Sequence, residues 1–132
     1  MKKIIGIGAV CLVAVVTTVF LWYNNHYHDK PKTQINRLLA KDVGQQVKVI
    51  VFHKTGCARC EALREEVNQL KKVRDRCHET TVVMDYMNKA TRPYFSDYQV
   101  NVVPTILLVK KGQIIKQYVQ LSHEQMREIA RE

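Results

Sequence analysis

Apolar runs and polar breaks alternate along the chain, and the spacing within each run predicts an element. Residues 4–23 pass without a charge, about the length a helix needs to cross a bilayer. Asn24 to Pro31 is a polar linker. Thr33 to Asp42 carries Ile35, Leu38 and Leu39 at helical spacing, which predicts a short amphipathic helix. Val47 to Phe52 is an apolar run rich in β-branched residues, the pattern of a strand buried on both faces. A polar turn, Lys54-Thr55-Gly56, follows. Leu63, Val67, Leu70 and Val73 then recur with helical spacing and predict one helix from about Ala58 to Arg74.

Lys71 to Glu79 is a charged connection. Thr80 to Asp85 reads as a second strand, parallel to the first because a helix joins them. Lys89 to Tyr98 predicts a helix or helical turn with Pro93 near its start. Val100 to Val103 leads into Pro104–Val109, a strand that opens on proline, where the missing N–H is tolerated. Lys110-Lys111-Gly112-Gln113 is a hairpin turn into a strand from Ile114 to Val119. Ser122-His123-Glu124-Gln125 is a capping box that opens a last helix, packing Met126, Ile129 and Ala130. There are no repeats. The order α-β-α-β-α-β-β-α gives a single α/β sheet, and the residues after position 23 suffice for one core.

Residues 1–3 form a short flank and 4–23 a transmembrane anchor, with 24–31 as linker and 32–132 as the domain. Lys2-Lys3 precede the apolar run, and Trp22-Tyr23 close it as interfacial anchors. A cleavable signal peptide would have a shorter apolar core and a small-x-small site, and neither is present. Gly8-Ala9-Val10 before Cys11 makes a poor lipoprotein box, so Cys11 is expected to face lipid. Charge bias does not set the orientation, because Lys30, Lys32 and Arg37 balance the N-terminal cations. A short flank before a first helix normally stays inside, which predicts an extracytoplasmic domain on a single-pass cell-membrane protein. The formal charge is +9, a surplus that suits anionic membrane or cell-wall surfaces. The basic residues are scattered without interleaved aromatics, which argues against nucleic-acid binding.

The chemistry concentrates at Cys57-Ala58-Arg59-Cys60. A strand, a tight turn and a helix place this C-x-x-C at a helix N-terminus, the redox version of the motif. Unpartnered first-turn N–H groups there favour a thiolate, the form that attacks disulfides. Cys57 is then the attacking sulfur and Cys60 the resolving one, while Arg59 adds a positive charge. The rival readings are an inert structural disulfide and zinc, with Cys77-His78 as the second pair. Structural zinc takes two separated pairs, and the helix between would hold Cys77 roughly 24 Å away. No metal site is expected, His26 and His28 included. Cys77 is expected to be a half-buried free thiol.

With these residues in place the chain resembles thioredoxin over nearly everything after the anchor. The likeness rests on the Val47–Phe52 strand, Cys57/Cys60, Val103-Pro104-Thr105, and Lys111-Gly112 between the last two strands. The C-x-x-C together with a V-P-T some 45 residues later is the specific combination. The resemblance implies a thioredoxin fold, a central mixed sheet flanked by helices, and a cis Pro104 packed against the cysteine pair. It also implies that Val103, Pro104 and Thr105 bind substrate polypeptide as an added strand. Three departures stand out. The family's buried acid is Val51 here, its tryptophan before the first cysteine is Gly56, and its Gly-Pro is Ala58-Arg59. Gly56, Ala58 and Arg59 are therefore expected to tune the site. With the anchor, the chain is similar to the small membrane-tethered thiol-disulfide oxidoreductases of Gram-positive bacteria. The expected function is disulfide exchange with exported proteins, with a possible membrane redox partner and no cofactor, since electrons travel through the cysteines. The alternative is a non-catalytic binding or assembly subunit of a secretion or conjugation complex.

Overall fold

The computed structural model describes residues 2–25, 32–40 and 46–131. The linker residues from 26 to 31, the expected helix end at Asp42, and the flank residue Met1 lie outside them. α1 (Lys2–Asn25) is an unbroken helix of 24 residues. Its described side chains are those of residues 12–23, so the expected lipid-facing Cys11 side chain is outside them too. Leu12, Val13, Val15, Val16, Val19, Phe20, Leu21, Trp22 and Tyr23 are all exposed, at every phase around the helix. Among the described residues no helix is long and apolar enough to cross a membrane.

Four strands form one mixed sheet in the order β2-β1-β3-β4. β1 (Lys48–His53) and β2 (Thr81–Asp85) run parallel, with His53 opposite Asp85. β3 (Thr105–Lys110) is antiparallel to β1, placing Phe52 opposite Thr105 and Lys48 opposite Val109. β4 (Gln113–Val119) pairs antiparallel with β3 and forms a largely exposed edge. The period-2 alternation of β1 supplies both halves of the core. Val49 and Val51 cluster with Leu63, Val67 and Leu70, and with Met126 and Ile129 of α6 (His123–Ile129). Ile50 and Phe52 cluster on the other face with Ile35 of α2 (Lys32–Ala40), and with Tyr94 and Phe95 of α5 (Arg92–Asp97). Phe52 meets Phe95 edge to face, ring centroids 4.8 Å apart. Fully burying a side chain of this size contributes about 1.5–3 kcal/mol. The result is three layers, helix–sheet–helix, as the α/β order requires.

Several expected elements are corrected. The single helix expected over Ala58–Arg74 is two, α3 (Ala58–Ala62) and α4 (Arg64–Arg76). At Leu63 the backbone leaves helical geometry (φ −96°, ψ 2°) and its N–H bonds to the Cys60 carbonyl at 3.3 Å. That i→i−3 bond tightens the turn, while Leu63 itself is buried in the core. Val73 is exposed, and Arg74 holds the buried position instead. The buried face runs Leu63, Val67, Leu70, Arg74, which keeps the 3.6-residue period. Arg74 is held there by donating to the Val47 carbonyl at 2.5 Å and pairing with Glu79 at 3.2 Å. Cys77, expected half-buried, is exposed at the α4 C-cap. Ala130 is exposed at the α6 C-cap and packs less than expected. Residues 89–91 are turn, so helix α5 starts three residues later than expected, after a Thr91 N-cap, with Pro93 in its first turn.

Candidate active site

The site stands at the C-terminal ends of the parallel strands β1 and β2, where α/β sheets present their loops. The chain leaves β1 at His53, which is 2 % exposed, and turns through Lys54, Thr55 and Gly56. Gly56 adopts φ +81°, a conformation open to glycine and strained for other residues. A Cβ there would meet nothing within 4 Å, so the backbone angle and not space selects glycine. The Cys57 N–H donates to the Lys54 carbonyl at 3.1 Å and closes the turn. The turn is pinned from β2 as well. The Thr55 N–H and hydroxyl donate to the two oxygens of Asp85 at 3.1 and 2.5 Å, and the Met87 N–H adds a third bond at 2.9 Å. Burial by itself pushes the Asp85 carboxyl up. The Thr55 hydroxyl, the Met87 and Thr55 N–H groups and the His53 ring outweigh it and hold Asp85 below the usual carboxylate range.

Cys57 is the N-cap of α3, with extended backbone (φ −87°, ψ 114°). Its sulfur accepts from the Cys60 N–H at 3.4 Å, the role a capping side chain normally plays. The Cys60 thiol donates to the Cys57 sulfur, 2.8 Å away. Cys57 is half-buried, whereas Cys60 is 0 % exposed. Burial pushes the Cys60 thiol up to about 12, and its hydrogen bond to Cys57 adds to the effect. Ala58 and Arg59 are exposed between them. α3 is only five residues long, so its aligned dipole is small, and the Cys60 N–H is the backbone donor that meets the Cys57 sulfur. Beneath the pair, Val51 is 2 % exposed and belongs to the apolar core.

The second loop arrives at the same end of the sheet. The Val103–Pro104 peptide is cis, as the resemblance implied. Thr105, the next residue, sits opposite Phe52. Val103 is half-buried and Pro104 buried. Thr105 is 1 % exposed, and its hydroxyl donates to the Val102 carbonyl at 2.7 Å. It therefore braces the loop from inside. The Pro104 carbonyl accepts from the Gln120 N–H at 2.9 Å, tying the loop to the end of β4.

All eight residues expected at the site thus converge on one end of the sheet. Sequence reading missed Asp85 and His53 as parts of the site, although both are polar residues closing apolar strands. It also missed a cleft lined by Lys54, Tyr86, Phe95, Val100, Asn101 and Val103. Among the described residues no three potential ligands gather to hold a metal.

Comparison with known proteins agrees with this geometry. A family model for a thioredoxin-like domain matches residues 36–131. Among solved structures the chain is similar to oxidised thioredoxin O2 from Arabidopsis thaliana, at 19 % identity over 77 % of this chain and 88 % of that one, with a TM-score of 0.64. Thioredoxin f2 from Chlamydomonas reinhardtii aligns at 15 % identity, 79 % and 93 % coverage and a TM-score of 0.63. Thioredoxin from Aeropyrum pernix gives 18 %, 82 % and 87 %, and 0.60. No curated protein matches the sequence. The family match spans most of the chain, and the fold carries its cysteine pair at the start of a helix: the chain belongs to the thioredoxin-like family.

Proposed function

We propose that the chain is a membrane-anchored thiol-disulfide oxidoreductase that exchanges disulfides with exported proteins through Cys57 and Cys60. The observation that carries this reading is the asymmetry of the pair, one sulfur half-exposed and the other buried 2.8 Å away. In the reducing direction the Cys57 thiolate attacks one sulfur of a substrate disulfide, and the second substrate sulfur leaves as a thiolate and takes a proton. Cys60 then loses its proton and attacks the Cys57 sulfur. The substrate's remaining thiolate departs and is protonated, and two electrons have passed from the Cys57–Cys60 dithiol to the substrate. Oxidation of a substrate dithiol is the same sequence reversed. The Val103 backbone, in the loop at the same end of the sheet as the dithiol, offers an edge for an extended substrate segment.

Anchoring is supported by the pattern of α1. Its apolar side chains described from Leu12 to Tyr23 are exposed at every phase, and among those described residues no charged side chain makes a polar face. The Thr17 and Thr18 hydroxyls donate back to carbonyls of the preceding turn, at 2.9 Å each, and so satisfy themselves within the helix. An extracytoplasmic domain fits the compartments in which disulfides persist. The Gram-positive tethered oxidoreductases are the type this combination fits.

The test is reduction of insulin disulfides and oxidative refolding by the full chain purified in detergent. Activity in either direction is expected. Inactivity in both favours a non-catalytic assembly subunit. Topology is read separately: a thiol reagent that does not cross membranes is expected to label reduced Cys57 in intact cells, and labelling only after lysis places the domain inside.

A further inference from the structure

A cleft of about 420 Å³ opens at the same end of the sheet as the dithiol, lined by Lys54, Tyr86, Phe95, Val100, Asn101 and Val103. It lies between the two loops of the site, because Lys54 closes the turn onto Cys57 and Val103 precedes Pro104. Its floor is apolar: Phe95 and Val100 are buried and Val103 half-buried. Tyr86 forms one wall, edge-on to Phe95 with ring centroids 5.3 Å apart. Two cations rest on that wall. The Lys54 ammonium lies 5.9 Å and the Arg92 guanidinium 5.1 Å from the ring centroid, and Arg92 Nε donates to the Tyr86 carbonyl at 2.9 Å. The nearby acid, Asp85, directs both oxygens to donors on Thr55 and Met87. Lys54 in the lining, and Arg92 against the same tyrosine ring, thus set positive charge beside an apolar floor.

We propose that this cleft is a specificity subsite that receives an apolar or aromatic side chain of the substrate polypeptide, with an acidic residue beside it, close in sequence to the attacked cysteine. The inference rests on the disulfide-exchange reading and adds the class of substrate. An aromatic ring covers Phe95, Val100 and Val103 and stacks near Tyr86. A neighbouring carboxylate meets Lys54 and Arg92, already held in place by the ring, whereas a lysine there meets like charge. A segment docked along Val103 presents alternate side chains to one side, which is how a pocket beside that edge reads sequence.

The experiment uses the reduced full chain in detergent and four disulfides, each carrying a chromophoric aromatic thiol. Three are single-cysteine peptides flanked by Phe-Glu, Phe-Lys or Gly-Glu, and the fourth has no peptide. Cys57 displaces the chromophore, then Cys60 frees the peptide thiol, so the chromophore reports the second-order rate. Phe-Glu is expected to react about fivefold faster than Phe-Lys at low salt, the size of two partly screened charge contacts, and the ratio is expected to shrink at high salt. Reversing both charges with Lys54→Glu and Arg92→Glu is expected to invert the ratio. Lys111→Glu, in the hairpin at the opposite end of the sheet, is expected to leave it close to wild type. Phe-Glu is also expected to outpace Gly-Glu, and Tyr86→Ala to close that gap. Comparing peptides within one variant cancels any change in the reactivity of Cys57 itself. Equal rates for Phe-Glu and Phe-Lys, an equal effect of Lys111→Glu, or a Phe-over-Gly gap untouched by Tyr86→Ala each overturn the subsite. Failure to react even with the peptide-free disulfide overturns the exchange reading and this inference with it.

Discussion

The Thr55 hydroxyl donates to the Asp85 carboxylate at 2.5 Å, joining residues thirty apart in sequence across the mouth of the active-site turn. β2 thereby holds the segment that presents Cys57. Thr55→Val removes that bond but leaves the N–H bond, and is expected to cost about 1–2 kcal/mol, below the full value of a buried charged bond because the pair is exposed. The sign of the pH dependence follows from the lowered pKa of Asp85. Its contribution is complete above the unfolded carboxyl value of about 3.9 and is lost as pH falls through the folded value. Urea titrations between pH 5 and pH 2 check this: Asp85→Asn is expected to flatten the acid limb, and an unchanged limb refutes the assignment.

The cysteines are expected to divide by exposure. Cys60→Ser accumulates mixed disulfides with substrate and Cys57→Ser does not, as non-reducing gels would show. Cys77→Ser leaves exchange rates at wild type, since Cys77 is exposed at the end of α4.

A second consequence concerns alkaline pH. Burial raises Cys60 from an ordinary 9.0 to about 12. A thiol whose pKa rises on folding stabilises the fold fully below the unfolded value, and that contribution is lost as pH climbs through the folded one. The reduced protein is therefore expected to lose stability from about pH 9 upward more steeply than Cys60→Ala. Parallel curves for the two would contradict the burial of that proton.

Arg59 sits exposed between the cysteines, and its positive charge is expected to favour the reduced form of the pair. The couple is expected to lie above thioredoxin, near −270 mV. An exposed charge contact is worth about 0.2–1 kcal/mol, and 30 mV corresponds to about 1.4 kcal/mol, so Arg59→Gln should lower the potential by about 4–20 mV. Equilibration with glutathione measures it. A value at or below thioredoxin's, or a rise on substitution, would show that this electrostatic reading fails.

Gly56→Ala is expected to cost about 1–2 kcal/mol through its φ of +81° alone, because no neighbour crowds the new methyl. Gly56→Asn should cost less, since asparagine tolerates positive φ. Equal losses for the two in thermal melts would point to crowding instead.

Features fixed by local pattern were legible in the sequence. β1 announced itself through consecutive β-branched residues, and the capping box at Ser122 and Gln125 forms as written, each side chain bonding the other's backbone. The cysteine pair was placed by the strand–turn–helix order around it. The break at Leu63 was not legible, because it arises from where the core receives that side chain. Arg74 was not legible because a charged residue on a helix normally faces solvent, whereas here it is buried and its guanidinium finds Val47 and Glu79. Asp85 and the Tyr86 cleft depend on which strand ends become neighbours, and that is a property of sheet order.

The burial of Cys60 at 0 % exposure leaves the dithiol a single doorway. In an exchange enzyme of this build, the partner that loads electrons and the partner that receives them must both present their sulfur to Cys57. They cannot occupy it together. Turnover then follows a ping-pong order, and each partner in excess inhibits by occupying the form of the enzyme meant for the other. In such an enzyme the flow of reducing equivalents would be governed by competition for one atom.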